Sequence, residues 1–431
     1  MVTRAADPTT EPGDPGGPAG RWNRATVLFI LGYFAAGTGT AALAYALGKQ
    51  AYDISGREFD LGMIGLAEFA PAALLVLVSG SVADRFPRRR VVLGGVLVEL
   101  LAAVLMVGYV ATEPTAVGPL FALALLLGVG RAFVAPAARA MPADLMSAEE
   151  LPWLVARWTI SFQVALVTGP VIAGLLYASD PRLAFSAAAV LYVLSAVCYL
   201  VLPATGAQQQ QRAEPAPAGG RLHEAFEGLR IIRRQPVLGG AISLDLFAVL
   251  FGGAVALLPA IADERLGVGA VGLGWLRAAP GMGAAAMMLL LAVRPLRRHV
   301  GVALLSAVAV FGAATVVLGA TRSYAVAFVA LVVLAAADAL SVFIRVTLVP
   351  LSTPTQARGR VLAVENVFIG ASNELGAFES GVTGQWLGPG LAVALGGIAT
   401  LGVAATWSRL FPALRQVDRF PEQALATPPL S

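Results

Sequence analysis

The sequence predicts an all-α membrane protein of about twelve transmembrane helices in two pseudo-symmetric six-helix halves. Three observations lead there. Hydrophobic residues make up 58% of the 431 and charged residues 13%, where a soluble domain carries about 25% charged residues; the mean hydropathy is +0.77. Apolar runs recur along the whole chain, each long enough to cross about 30 Å of hydrocarbon. The basic residues collect in short loops between alternate runs.

The runs fall at 24–50, 61–82, 91–111, 117–141, 151–178 and 183–202, and after a polar break at 237–260, 268–293, 300–320, 324–351, 361–386 and 390–411. They divide the chain into an N-terminal tail at 1–20, a first half at 21–203, a linker at 204–236, a second half at 237–411 and a C-terminal tail at 412–431. The first tail is rich in Pro, Gly, Asp and Thr and is expected to be disordered. No cleavable signal precedes the first run, which follows Arg21 and Arg24 and is expected to serve as an uncleaved anchor.

Charge sets the orientation. With the N-terminus in the cytoplasm, the inner loops hold Arg85, Arg88, Arg89 and Arg90, then Arg139, then Arg294, Arg297 and Arg298, then Arg358 and Arg360. The outer loops hold isolated arginines beside acids, such as Arg57 with Asp53, Glu58 and Asp60. This is the positive-inside pattern of a cell-membrane protein with both termini cytoplasmic. The net charge of +4 therefore calls for no nucleic acid. One cysteine, Cys198, and two histidines, His223 and His299, leave no basis for a disulfide, a metal cluster or a cofactor site.

The linker begins as a Gln-, Pro- and Gly-rich stretch. Over 221–234 it becomes amphipathic, with Leu222, Phe226, Leu229 and Ile232 able to share one face. That pattern suits a helix on the inner membrane surface or a solvated connector.

The loop after the second run reads Gly80-Ser-Val-Ala-Asp84-Arg85-Phe-Pro-Arg88-Arg89-Arg90. An anchor loop needs arginines but no acid, so Asp84 is expected to meet a helix N-terminus or an arginine. The stretch resembles the Gly-x-x-x-Asp-Arg-x-Gly-Arg-Arg signature of the major facilitator superfamily. Gly80, Asp84, Arg85, Arg88 and Arg89 match, and Pro87 replaces a glycine. The second half has a basic loop at the equivalent place, Arg294 to His299, without the aspartate. Paired halves suit a transporter built from repeats around a central site.

Charged groups inside spans are costly and usually functional. Glu68, Glu99, Asp245, Asp338 and Glu374 are such acids, with Arg131 and Arg277 as bases. Glu68, Asp245, Asp338 and Glu374 are candidates for carrying a coupled proton. Buried ion pairs that fix helix packing are the competing explanation. In the fifth span, Gly169, Pro170 and Gly174 match a pattern that drug–proton antiporters of the superfamily carry, with Ala165 and Ala173 in place of two glycines. The eleventh span is polar, and Ser372, Gly376, Ser380 and Gly384 make a small-residue face. Together with residues 271–280 and the Arg358-Gly359-Arg360 entry, it resembles the subfamily of the enterobactin exporter and macrolide efflux pumps.

The resemblance implies a cavity lined by the first, fourth, seventh and tenth helices. These offer Tyr33, Phe34, Tyr45, Phe133, Phe247, Phe251 and Phe343, with Arg131 beside them to meet either an anionic substrate or Glu68 or Glu99. The expectation is a secondary transporter rather than an enzyme, working as a monomer in the bilayer. Its partners are a small-molecule substrate and protons, and it exports an amphipathic, aromatic or siderophore-like molecule. A lysophospholipid translocase and an uptake symporter are the alternatives. No phosphate-binding loop or nucleophile elbow is present.

Overall fold

The computed structural model describes residues 22–203 and 221–421. The expected tail at 1–20 and the Gln- and Pro-rich part of the linker lie outside them. Eleven continuous helices of 21 to 32 residues and one broken helix build the bundle: α1 Arg24–Ser55, α2 Glu58–Arg85, α3 Arg88–Val110, α4 Gly118–Ala140, α5 Leu151–Ser179, α6 Pro181–Val201, α7 Pro236–Arg265, α8 Ala270–Val293, α9 Val300–Ala320, α10 Tyr324–Ser352, α11 Arg358–Leu387 and α12 Pro389–Leu410. Ten of them are long and apolar enough to cross a membrane; α2 and α11, which carry more charge, are the other two. A connecting helix covers Arg221–Arg234. There is no strand among the described residues.

Local chemistry sets the helix ends. The Asn23 side chain accepts from the Thr26 N–H at 2.9 Å and starts α1. Gly56, at φ 59°, ends it by donating to the Tyr52 carbonyl, in a left-handed conformation that glycine adopts freely. Asp180 accepts from the Arg182 N–H at 2.8 Å, and Pro181 opens α6 with φ already fixed. The Arg182 guanidinium, which donates to the same carboxyl through Nε, holds it below the usual carboxylate range together with the backbone bond.

α7 is not the continuous helix that its apolar run predicts. It breaks at Gly252-Gly253, passes through a tight turn at Ala254–Leu257 and ends in a wide π turn at Ile261–Arg265. The break lies against α11, where a Cβ on Gly376 would sit 2.7 Å from the Val249 carbonyl oxygen. Small residues let these two backbones nearly touch.

The two halves repeat the same pairings. In the first, α1 packs on α5 and α6, α4 on α2 and α3, and α3 on α6. In the second, α7 packs on α11 and α12, α10 on α8 and α9, and α9 on α12. Two extended seams join the halves, α5 with α8 and α2 with α11. Both lie toward the end opposite the arginine loops. Gly174 faces the Ala270 carbonyl and Gly274, and Gly62 faces Ala377 and Gly381. Tyr45 donates to the Ala270 carbonyl at 2.6 Å, and Tyr52 donates to Glu264. Toward the arginine loops, Leu74 of α2 is 80% exposed and Val367 of α11 58% exposed.

Candidate functional site

A cavity of about 410 Å³ lies between the halves, beneath the closed seams. Its wall comes from α1, α2, α7, α8, α9, α10 and α11. Most of the lining is glycine, alanine and short aliphatic residues. The exceptions are Glu68, Arg277, Asp338, Asn373 and Glu374, with Phe311 as the single ring.

Arg131 reaches from α4 to Glu68 on α2, Nη1 to Oε2 at 2.5 Å. It lies deep between helices, yet its side chain is 42% exposed. Its partner Glu68 lines the central cavity, and pairing of this kind is how a membrane interior tolerates a charge. Behind this pair, Glu99 is 2% exposed and its Oε2 has no partner among the described residues. Gly130 makes room for it, since a Cβ there would sit 2.7 Å from Glu99 Cγ. Across the cavity, Gly48 lets the Arg277 guanidinium approach α1; a Cβ on Gly48 would lie 3.1 Å from it. Glu374 of α11 faces Gly65 of α2, so the acids of the two halves share one space.

A second charged cluster lies in the C-terminal half. Asp245 of α7 and Arg345 of α10 form an ion pair at 2.7 Å, with side chains 7% and 3% exposed. Glu365 of α11 is buried, and Arg345 is near enough to act on its charge. Sequence reading overlooked both Arg345 and Glu365. The signal was present: Asp338, Ser341 and Arg345 stand at i, i+3 and i+7, one stripe of an otherwise apolar helix.

The structure places the aromatic candidates away from the cavity wall. Tyr45 is fully buried in the seam between α1 and α8. Tyr33 packs with Phe29, Trp158 and Phe162. Phe34 is half-buried on α1, and Phe133 packs on the core of the first half. Phe247 lies against Trp407 of α12, Phe343 against Phe420, and Phe251 on the core of the second half. Rings lose most water-exposed area by wedging between helices, as Tyr45 has, while Phe247 stays 37% exposed beside Trp407. Of the residues expected to line the cavity, Arg131 is the one in contact with its wall.

The arginine loop is tied to its own half. Arg88 donates to Asp144 at 2.9 Å and to the Ala140 carbonyl at 2.5 Å, and Arg89 donates to the Leu202 carbonyl. Arg85 is exposed, and a Cβ on Gly80 would meet open space. The Asp84 side chain lies outside what the structure describes. At the start of α11, Arg360 pairs with Glu227 of the connecting helix, and Ile232 of that helix is buried beside Val361 and Val364. Phe226 on the same helix is 69% exposed.

A family model described as the Major Facilitator Superfamily matches residues 29–377, most of the chain. The chain belongs to the major facilitator superfamily. Solved structures of several transporters share the fold. A mutant of the nucleoside transporter NupG aligns at a TM-score of 0.71 and 11% identity, covering 90% of this chain and 100% of that one. A POT family transporter in complex with 5-aminolevulinic acid aligns at 0.73 and 11%, covering 92% and 98%. A bacterial homolog of the human lysosomal transporter Spinster, in an inward-facing and unoccupied conformation, aligns at 0.67 and 15%, covering 93% and 97%. No curated protein matches the sequence. At these identities the likeness speaks for the fold. As a superfamily transporter the protein is multi-pass and takes a small-molecule substrate.

In this superfamily member, Gly169, Pro170 and Gly174 sit where α5 touches both halves at once. A Cβ on Gly169 would lie 2.7 Å from the Thr38 carbonyl of α1, and one on Gly274 would lie 2.7 Å from the Pro170 carbonyl. Proline also removes one backbone donor from the helix at this point. Pro170 and Gly174 thus lie on the contact along which one half meets the other, while Gly169 packs α5 on α1 of its own half.

Proposed function

We propose that this transporter is a proton-coupled exporter in the cell membrane, with both termini cytoplasmic. It moves a small amphipathic molecule by alternating access, and the conformation described faces the cytoplasm. One observation carries the reading: a central cavity closed at one end by two glycine-rich seams, with Glu68 bound to Arg131 on one wall and Glu374 on another. A proton on Glu68 removes its charge and frees Arg131 from its partner. The ion pair and the protonated acid then favour different arrangements of α2 and α4, and a proton gradient can select between them.

The wall chemistry narrows the substrate. Three acids, Glu68, Asp338 and Glu374, face the cavity with one arginine, Arg277, among its lining residues. Such a site suits a molecule with a basic or hydrogen-bond-donating group on an apolar body. It offers one ring, Phe311, to an aromatic siderophore. The volume lies in the range of small-molecule sites. Protons and a cationic group compete for the same carboxylates, so inward proton movement drives outward release. The pattern shared with drug–proton antiporters at Gly169, Pro170 and Gly174 points in the same direction.

The test is transport in inside-out vesicles with an acidic lumen, using a panel of labelled amphipathic amines and a pH dye. Uptake of at least one amine coupled to proton efflux, and lost in Glu68→Gln, is expected. Accumulation that ignores the gradient would refute proton coupling. Lysophospholipid movement without amine transport would favour a lipid translocase.

A further inference from the structure

α9 and α10 are neighbours joined by a short turn, Thr321 to Ser323. On the side away from the central cavity they enclose a groove of about 520 Å³, and every residue along it is alanine or valine. Val310, Ala314 and Val317 stand at i, i+4 and i+7 on α9; Ala325, Val329 and Val333 stand at i, i+4 and i+8 on α10. Val329 is 58% exposed and Val317 44%. Both helices are long and apolar enough to cross a membrane, so this outer face meets hydrocarbon.

The groove cannot close on itself. Alanine has no rotamer to change, and valine in a helix has essentially one. A space left unfilled forfeits the contacts of the atoms that line it, and in a bilayer a methylene chain is what can supply them. From Ala325 to Val333 the groove runs about 12 Å at 1.5 Å per residue, less than half of the roughly 30 Å of hydrocarbon. It starts within one helical turn of the α9–α10 connection and stops in mid-membrane. At its head stands Arg322, exposed and with no ion-pair partner among the described residues. The connection beneath this arginine is held in place: Arg265 Nη2 donates to the Ala320 and Thr321 carbonyls at 3.2 Å each, and the Ser323 N–H donates to Thr321 Oγ1 at 3.0 Å. The acids beside Arg265 in sequence, Asp263 and Glu264, belong to the end of α7, where Tyr52 of α1 donates to Glu264. A fixed guanidinium above one leaflet's depth of apolar groove matches a phosphate carried on an acyl chain.

A helix from a second copy fits this face less well. It would run on past Val310 and Val333, where the groove ends, and a two-fold pairing would set the two Arg322 guanidiniums against each other. The floor of the groove is also a wall of the central cavity. Phe311 and Leu334, each next in sequence to a groove residue, line that cavity. With Ala314 they form one buried cluster, so a single layer of side chains separates the two spaces.

We propose that the groove between α9 and α10 binds one acyl chain of an anionic phospholipid, with the phosphate held by Arg322. The lipid belongs to the leaflet opposite the arginine loops, and it backs the part of the cavity wall that carries Phe311. The site is independent of the coupled proton and of the transported molecule.

Native mass spectrometry of the purified full-length chain, ejected from nanodiscs of equimolar phosphatidylglycerol and phosphatidylcholine, tests the site. The wild type should retain one phosphatidylglycerol per chain in preference to phosphatidylcholine. Arg322→Gln should lower that retention by roughly tenfold or more, the loss expected for a charge-assisted hydrogen bond. Val329→Trp fills the groove from a lipid-facing position and should abolish retention while leaving the melting temperature unchanged. A second measurement uses the wild type alone: phosphatidylglycerol with a diazirine on its acyl chain should label α9 and α10 between residues 310 and 333 above the other helices. Equal retention of the two lipids, retention undisturbed in either variant, or labelling spread evenly over the outer helices would overturn the site. A dimer cross-linked through the α9–α10 face, with no lipid retained, would assign the groove to a second copy instead.

Discussion

Arg131 of α4 donates to Glu68 of α2 across the wall of the central cavity, 2.5 Å from nitrogen to oxygen. Both residues belong to the first half, and Glu374 from the second half looks into the same space. Glu68→Gln keeps the shape and an acceptor for Arg131 but cannot lose a proton. Gradient-driven transport in vesicles should fall to the leak level, while purified protein keeps its melting temperature. Full gradient-driven transport in this variant would move the coupling site elsewhere.

The seam between α5 and α8 leaves no room for a side chain. A Cβ on Gly174 would sit 2.7 Å from the Ala270 carbonyl oxygen and 3.0 Å from Gly274 Cα, both backbone atoms. Gly174→Leu should hold the closed end apart. Overpacking costs about 1–3 kcal/mol, which shifts a two-state equilibrium by about 5- to 150-fold. Cysteines placed on either side of the seam should cross-link less in the variant. Equal cross-linking would show that the seam yields without opening.

The Asp245–Arg345 pair is almost completely buried, so breaking it leaves a charge without a partner. Arg345→Leu alone should destabilise the protein by about 3–5 kcal/mol, and the double change Asp245→Leu with Arg345→Leu should recover most of that loss. Denaturant unfolding in detergent measures both. Equal loss in single and double variants would mean that the two charges do not depend on each other.

Asp418, beyond α12, accepts from the His299 backbone N–H at 3.1 Å and from Arg298 Nε at 3.3 Å. The His299 N–H, followed by the Arg298 guanidinium, holds this carboxyl below its ordinary value. A carboxyl lowered in the folded state stabilises above its unfolded value, about 3.9, and that contribution is lost as pH falls through the folded value. The amides of Val300 and Gly301, which bond the carbonyls of Asp418 and Val417, should lose hydrogen-exchange protection in that acid range. In Asp418→Asn the pH step should vanish. The same step in the variant would assign it to another group.

The fold was legible because long apolar runs and loop arginines are strong signals with few alternative explanations. The first and seventh runs were read to residues 50 and 260, and the helices end at Ser55 and Arg265; the other ends agree to within three residues. The break in α7 was missed, although Gly252-Gly253 and Pro259 were visible, because hydropathy does not register backbone contact with α11. The charged residues of the central cavity stood out singly, since a charge among apolar residues is conspicuous, whereas Arg345 and Glu365, close to the helix ends, were overlooked. Partner choice did not, because it depends on how helices are rotated: Arg131 had Glu68 and Glu99 as equal candidates until α2 and α4 were placed side by side. The aromatic wall failed for a related reason. A ring on a given helix is as ready to wedge between helices, as Tyr45 does, as to face a cavity.

The central claim is that the two halves open one end by closing the other. Pulsed electron paramagnetic resonance tests it with spin labels on exposed positions at the ends of the bundle in a Cys198→Ala background. One pair, Arg90 and Arg297, spans the arginine-loop end, and the other, Arg57 and Arg322, spans the opposite end. As pH is varied, the account predicts two distances at each end, with the long distance at one end rising in population as the long distance at the other falls. A single unchanging distance at both ends, or ends that lengthen together, would contradict it.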